Sequence, residues 1–228
     1  MAAGPGVSGT SAKGDGVFGR GARDGVHGQS ASATNSGVWG ENTGAGVGVA
    51  GSSVTGNAGQ FTGKVLVTGD LTIDGDLTGV NNITCKNDIT LAGADCAEEF
   101  DVADARQLAP GTVVVIDQEG ALRESRDAYD KKVAGIVSGA GGYRPGIVLD
   151  RKASDVSRTV VALIGKVYCK VDAEYAPIEI GDLLTPSPTP GHAMKASDPS
   201  RAFGAVIGKA LRPLQKGQGL VPVLVALQ

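Results

Sequence analysis

The chain has 228 residues, of which 36 are glycine and only 4% are aromatic. With 24 acidic and 21 basic residues and no Lys/Arg-rich run, the sequence excludes nucleic acid as an expected partner. No apolar run reaches the roughly 18–20 residues that a membrane helix needs, so membrane insertion is excluded too. Three cysteines without a C-x-x-C pair and only two histidines predict no disulfide framework, no metal site and no cofactor.

Residues 1–63 form the first predicted region, a shaft that repeats a Gly-Val-x-Gly unit. The units occupy residues 6–9, 16–19, 25–28 and 37–40, and an altered copy, Gly46-Val47-Gly48, is followed by Val49 and Gly51. Self-similarity at nearly constant spacing is typical of repeat architectures. Glycine on both sides of a β-branched residue suits a short strand that turns sharply.

One valine in each short strand buries too little surface to offset the cost of ordering the backbone, about 1–2 kcal/mol per residue. Each unit must therefore share its valine with other copies of the unit. The pattern favours three chains wound around one axis, as in a trimeric β-helix or β-prism. A single-chain β-solenoid and a disordered linker are the alternatives.

Residues 64–93 are predicted to continue the shaft with short strands. Apolar and polar residues alternate from Lys64 to Thr78, and Gly-Asp and Asp-Gly pairs mark the corners. Period-2 patterning interrupted by turn residues indicates strands. This segment is also too thin to fold alone.

Residues 94–228 form a compact all-β assembly domain in our interpretation, either a barrel or a sandwich. Its apolar runs are short, rich in β-branched residues and bounded by Gly, Pro or Asp, as in buried strands. They lie at 113–116, 133–137, 160–164, 203–207 and 220–225. The best helical candidate, around 101–107, is one or two turns long.

The assembly domain contains an internal duplication. Residues 111–115 align with 181–185, residues 120–125 with 191–197, and residues 133–137 with 203–207. Each half is predicted to be one copy of the same β-unit, although chance similarity among short strands is the alternative.

The densest acidic cluster, Ala94-Asp95-Cys96-Ala97-Glu98-Glu99-Phe100-Asp101, lies at the boundary between shaft and assembly domain. By itself it is typical of a solvated turn that opens a domain. Two strand motifs follow, Pro-Gly-x-x-Val-x-Ile-Asp at 110–117 and Val-x-Gly-Ile-Val-Ser at 133–138. Behind a Gly/Asp-rich shaft, an Asp-x-Ala-Glu motif and these two strands together resemble the autoproteolytic intramolecular chaperone domain of phage appendage and tailspike proteins, the group called peptidase G2. The resemblance covers roughly residues 85–140.

The resemblance implies a domain that trimerises, sets the register of three shaft chains and is then released by a cut before the motif's aspartate. That bond is Ala94–Asp95 here, and Asp95 and Glu98 are implied to be the catalytic carboxylates, meeting across a subunit interface. Two carboxylates in different environments can divide the acid and base roles. The family often has serine where this chain has Ala94, so a hydroxyl-driven acyl shift is not available.

The sequence therefore predicts part of a homotrimeric fibre or spike whose globular domain drives trimerisation, with self-cleavage implied by the resemblance. The alternative function is an adhesin-like tip that binds a cell-surface receptor or glycan without cleavage. The expected location is a virion, a phage-tail-like particle or an extracellular surface, with synthesis in the cytoplasm because no signal peptide is visible.

Overall fold

The computed structural model describes residues 8–22, 24–103 and 108–227. Strand makes up 28% of it and helix 2%, which confirms the all-β fold class. The chain divides into two units, Met1–Val80 and Asn81–Gln228. Within the described ranges, no helix is long and apolar enough to cross a membrane. Part of the predicted helix, residues 104–107, and part of the first shaft repeat, residues 6–7, lie outside those ranges.

All of the strands belong to the second unit. In chain order they are β1 (Asp95–Asp101), β2 (Val113–Ile116), β3 (Leu122–Glu124), β4 (Val133–Val137), β5 (Pro145–Leu149), β6 (Arg158–Asp172), β7 (Leu183–Pro186), β8 (Ala193–Lys195), β9 (Gly208–Ala210) and β10 (Gln218–Ala226). One short helix, α1 (Pro199–Ala202), precedes β9, and the Asp198 side chain caps it by accepting from the Ser200 N–H.

Five strands of this unit close into a barrel. The order is β6–β8–β7–β9–β10, and pairing of β10 with β6 completes the ring. β-branched and leucine side chains fill its interior, among them Ile178, Leu184, Ile207 and Val223, all fully buried. The prediction of a compact barrel or sandwich is confirmed as a barrel with extra strands.

The extra strands pair with one another in the same pattern as the strands of the barrel. β1, β3, β2, β4 and the first half of β6 form a second ring, in which an isolated parallel bridge between Val102 and Leu122 joins β1 to β3. The smaller core of this ring matches the barrel core position by position. The equivalent pairs are Val114 with Leu184, Leu122 with Ala193, Ala134 with Ile207, Val137 with Ala210, and Val161 with Val223.

Strand register confirms the internal duplication and corrects its last segment. Val114 pairs with Glu124 as Leu184 pairs with Lys195, as the alignment predicted. Val114 also pairs with Gly135 as Leu184 pairs with Gly208, so β4 corresponds to residues 206–210 rather than 203–207.

The prediction of a strand at 203–207 was wrong because α1 and the turn at Gly204 precede β9. The correct alignment matches Gly135 of β4 with Gly208 of β9. A Cβ on Gly135 would lie 2.6 Å from the carbonyl oxygen of Ala162, and one on Gly208 would overlap the carbonyl oxygen of Leu224. Both positions therefore need glycine where two strands approach closely.

In the first unit, the described residues form no strand or helix, but consecutive repeats contact one another in a regular way. A Cβ on Gly19 would lie 2.5 Å from the carbonyl oxygen of Gly25, and one on Gly28 would lie 2.5 Å from that of Gly37. Gly40 faces Gly48 and Val49 in the same manner, so the last unit is Gly48-Val49-Ala50-Gly51 rather than residues 46–48.

Candidate functional site

Ala94 is the last residue before β1, and both of its backbone polar groups are hydrogen-bonded. Its N–H donates to the carbonyl oxygen of Arg144 at 2.8 Å, and its carbonyl oxygen accepts from the N–H of Lys166 at 2.9 Å. A donor on a carbonyl oxygen stabilises the negative charge that develops there when the carbon is attacked. The Ala94–Asp95 peptide is thus fixed in place and polarised in the direction that hydrolysis requires.

Glycines make the close packing around this peptide feasible. A Cβ on Gly165 would lie 2.6 Å from the Ala94 carbonyl oxygen, and Gly165 has a φ of +109°, which side chains rarely tolerate. A Cβ on Gly93 would overlap the backbone of Gly146. The start of β5 and the middle of β6 therefore approach the peptide from two sides.

A pocket of about 240 Å³ opens at the same place. The residues that line it are glycine or apolar apart from Asp95 and Cys96. The lining residues are Leu91, Gly93, Ala94, Asp95, Cys96, Gly146, Ile147, Ile164 and Gly165. The pocket therefore lies beside the Ala94–Asp95 peptide, and Asp95 itself is buried.

Asp95 is 5% exposed, and Ser138 is its hydrogen-bond partner. The Ser138 hydroxyl donates to the carboxyl group, with Oγ 2.9 Å from Oδ2 and 3.2 Å from Oδ1. Burial raises the pKa of Asp95, and the hydrogen bond from Ser138 opposes that rise only in part. Asp95 therefore keeps its proton to a higher pH than an aspartate in water.

Glu98 is not brought to Asp95 within one chain. It lies three residues further along β1, about 10 Å away at the rise of a strand, and residues 95–98 alternate between buried and half-buried, which places the two side chains on opposite faces. Glu98 is opposite Leu149 on β5 and Val161 on β6. Any joint action of Asp95 and Glu98 needs a second copy of the chain.

The other end of β1 is anchored by Arg158, whose side chain is 8% exposed. Its guanidinium donates to Asp101 at 2.8 Å, to Asp150 at 2.7 Å and to the carbonyl oxygen of Glu99 at 2.6 Å. β1 is also hydrogen-bonded to β5 on one side and β6 on the other. The strand that begins at Asp95 is thus held along its whole length.

Sequence reasoning missed Ser138, Lys166 and the strand β5. Ser138 closed a recognised strand motif, but nothing in its spacing linked it to Asp95. Lys166 acts through its backbone N–H, which leaves no side-chain signature. The one available signal was Gly165. It separates two apolar stretches of the sequence that belong to a single strand, β6, in the structure.

In the part of the chain that the structure describes, no group of three or more His, Cys, Asp or Glu side chains could hold a metal ion. The groups that the structure places at Ala94–Asp95 are the Asp95 carboxyl group, the Ser138 hydroxyl, the Cys96 thiol and backbone donors.

No protein-family profile matches the chain, and no curated protein does. Solved structures of bacteriophage phi29 proteins do. Pre-mature gene product 12 matches with a TM-score of 0.48 and 16% identity over 65% of this chain and 24% of that one. A C-terminal fragment of gene product 12 matches with a TM-score of 0.40 and 16% identity over 58% of this chain and 100% of that one. The N base of head fiber gp8.5 matches with a TM-score of 0.26 and 18% identity over 58% of this chain and 90% of that one. At these identities the similarity transfers no functional residue.

Proposed function

We propose that this chain is the shaft and assembly region of a homotrimeric phage-type fibre or spike that cuts itself between Ala94 and Asp95. Residues 1–93 form the shaft, and residues 94–228 hold three chains together and set their register. The observation that carries the proposal is the Ala94–Asp95 peptide, which is hydrogen-bonded by Lys166 and flanked by a buried acid.

The proposed reaction is hydrolysis with Asp95 as general acid. A water molecule attacks the Ala94 carbonyl carbon, and Glu98 of the partner subunit removes its proton. The C–N bond breaks as Asp95 gives its proton to its own backbone nitrogen, and the proton held by the partner's Glu98 then returns to the Asp95 carboxylate. Because acid and bond belong to adjacent residues, the effective concentration of the acid is high without a substrate-binding cleft.

The position of the cut explains how the shaft would separate from the domain. On the domain side, β1 remains paired with β5 and β6 and anchored by Arg158. On the shaft side, backbone hydrogen bonds join Ala94 to Arg144 and Lys166. The new chain end at Ala94 can therefore leave without opening the β-sheet.

The exposed shaft valines support the trimer. Val17, Val26, Val38 and Val49 are between 66% and 74% exposed in the single chain, although the repeats around them contact one another. Two neighbouring chains would cover them. A trimeric globular domain raises the local concentration of the shaft segments, so that weak pairing between chains becomes effectively intramolecular.

Denaturing gel electrophoresis of the purified chain, followed over time, tests the cleavage. We expect bands of about 9 and about 13 kDa from the 22.8 kDa chain, each within the size range of a small domain. Sequencing from the amino end of the larger fragment should begin at Asp95. A single band of full length at all times would overturn self-cleavage and favour the receptor- or glycan-binding tip.

A further inference from the structure

The internal duplication provides a comparison for the buried pair of Asp95 and Ser138. In the second ring, β1 takes the place that the second half of β6 takes in the barrel. Glu98 on β1 is opposite Val161, and Val167 on β6 is opposite the equivalent residue, Val223. Ser138 corresponds to Leu211, because their N–H groups donate to the equivalent residues Val160 and Pro222.

The barrel has an apolar residue, Leu211, where the second ring has Ser138. The same β-unit therefore folds without a serine at this position. A buried carboxyl group costs stability unless it is hydrogen-bonded, so the serine is an addition that the fold itself does not require. Such an addition, directly beside a polarised peptide bond, points to chemistry.

We propose that Ser138 is a positioning residue for Asp95 in the self-cleavage reaction, an inference that rests on the proposed function. The serine backbone is fixed at the end of β4 by its hydrogen bond to Val160, and its side chain is buried. Its hydroxyl therefore reaches the carboxyl group from a rigid base. By contacting both oxygens, it holds the acid in one orientation beside the Ala94–Asp95 bond.

Other charged groups near Asp95 are directed elsewhere. The Arg144 guanidinium donates to the carbonyl oxygens of residues 139, 141 and 143. The Lys166 ammonium group lies over the Tyr143 ring, 5.5 Å from its centroid. On β1 itself, Glu98 leaves the opposite face and Cys96 is the adjacent thiol. β5 begins with Pro145 and Gly146, which carry no charge. The limb of the pH profile on which the rate falls as pH rises is thus assigned to Asp95 and its bond to Ser138.

The test is the pH profile of self-cleavage in Ser138→Ala and Ser138→Thr chains. Asp95 must be protonated to act as the acid, so the rate should fall as pH rises through its pKa. Ser138→Ala removes an interaction that lowers this pKa, so the falling limb should move to higher pH while the maximal rate drops by about tenfold or more. Ser138→Thr keeps the hydroxyl group and should retain both the rate and the limb.

Ser157→Ala, at an exposed serine beyond β5, is the matched control and should behave as the wild type. If Ser138→Ala does not fold, Ser138→Cys, a weaker donor, should show the same slower rate and shifted limb. An unchanged cleavage rate in Ser138→Ala, or a slower rate whose falling limb stays at the same pH, would overturn the role of Ser138. The proposed self-cleavage would still stand in that case. A wild-type chain that is never cut would overturn this role and the proposed function together.

Discussion

Replacing Asp95 by asparagine is expected to stop self-cleavage while the domain stays folded. Asparagine has the shape of a protonated carboxyl group and can still accept the hydrogen bond from Ser138, but it cannot give a proton to the leaving nitrogen. Removing a positioned acid typically costs about 10²–10⁴-fold in rate. On denaturing gels, Asp95→Asn should remain at full length throughout the period in which the wild type is cut.

The same variant should be at least as stable as the wild type at neutral pH. Burial raises the pKa of Asp95, so the folded chain binds more protons than the unfolded chain between the unfolded and the folded pKa. Protonated Asp95 contributes to the free energy of unfolding, and this contribution is lost as the pH rises through the pKa of Asp95 in the folded chain. Asparagine does not titrate, so the variant does not undergo this loss. Asp88→Asn, an exposed change upstream, is the control for both readouts. Cleavage of Asp95→Asn at the wild-type rate would remove Asp95 from the mechanism.

Truncating Leu184 to alanine should give a large loss of stability. Leu184 is fully buried on β7, which lies between β8 and β9 in the ring. Leucine-to-alanine changes at such sites cost about 2–5 kcal/mol, because apolar contacts are lost and a cavity remains. Urea unfolding of the Asp95→Asn chain, with and without Leu184→Ala, measures the difference without interference from cleavage.

Leu183→Ala is the matched control for that measurement. Leu183 is the adjacent residue on the same strand, but it is 37% exposed. Its truncation removes the same atoms with less loss of packing, so it should cost clearly less free energy of unfolding. Equal losses at the two positions would contradict the assignment of Leu184 to the barrel interior.

The globular fold was largely predictable because its strands are short, β-branched and separated by turn residues. Val113–Ile116 and Val133–Val137 were found where the pattern put them. The duplication was also visible, but its last segment was misplaced by three residues. A short helix capped by Asp198 and the turn at 203–205 precede the strand, and four helical residues leave no usable periodicity in a sequence.

The candidate site was only half predictable. A motif of adjacent residues identifies Asp95, but the groups that surround it come from β4, β5 and β6. Ser138 reaches Asp95 because strand pairing joins residues far apart in the chain. Glu98 was predicted to act together with Asp95, but its side chain lies on the opposite face of β1. This follows from the two-residue period of a strand.

The shaft could be predicted only as a repeat. Glycine pairs such as Gly28 with Gly37 bring consecutive units together, yet the valines stay exposed. A single chain does not contain the surface that would bury them. The first region therefore remains a prediction whose completion needs other copies of the chain.

Light scattering on the intact Asp95→Asn chain, separated by size, tests the central claim most directly. Trimerisation predicts a mass about three times 22.8 kDa across a range of protein concentrations. A mass of 22.8 kDa, with the shaft residues ordered in the lone chain, would contradict the account.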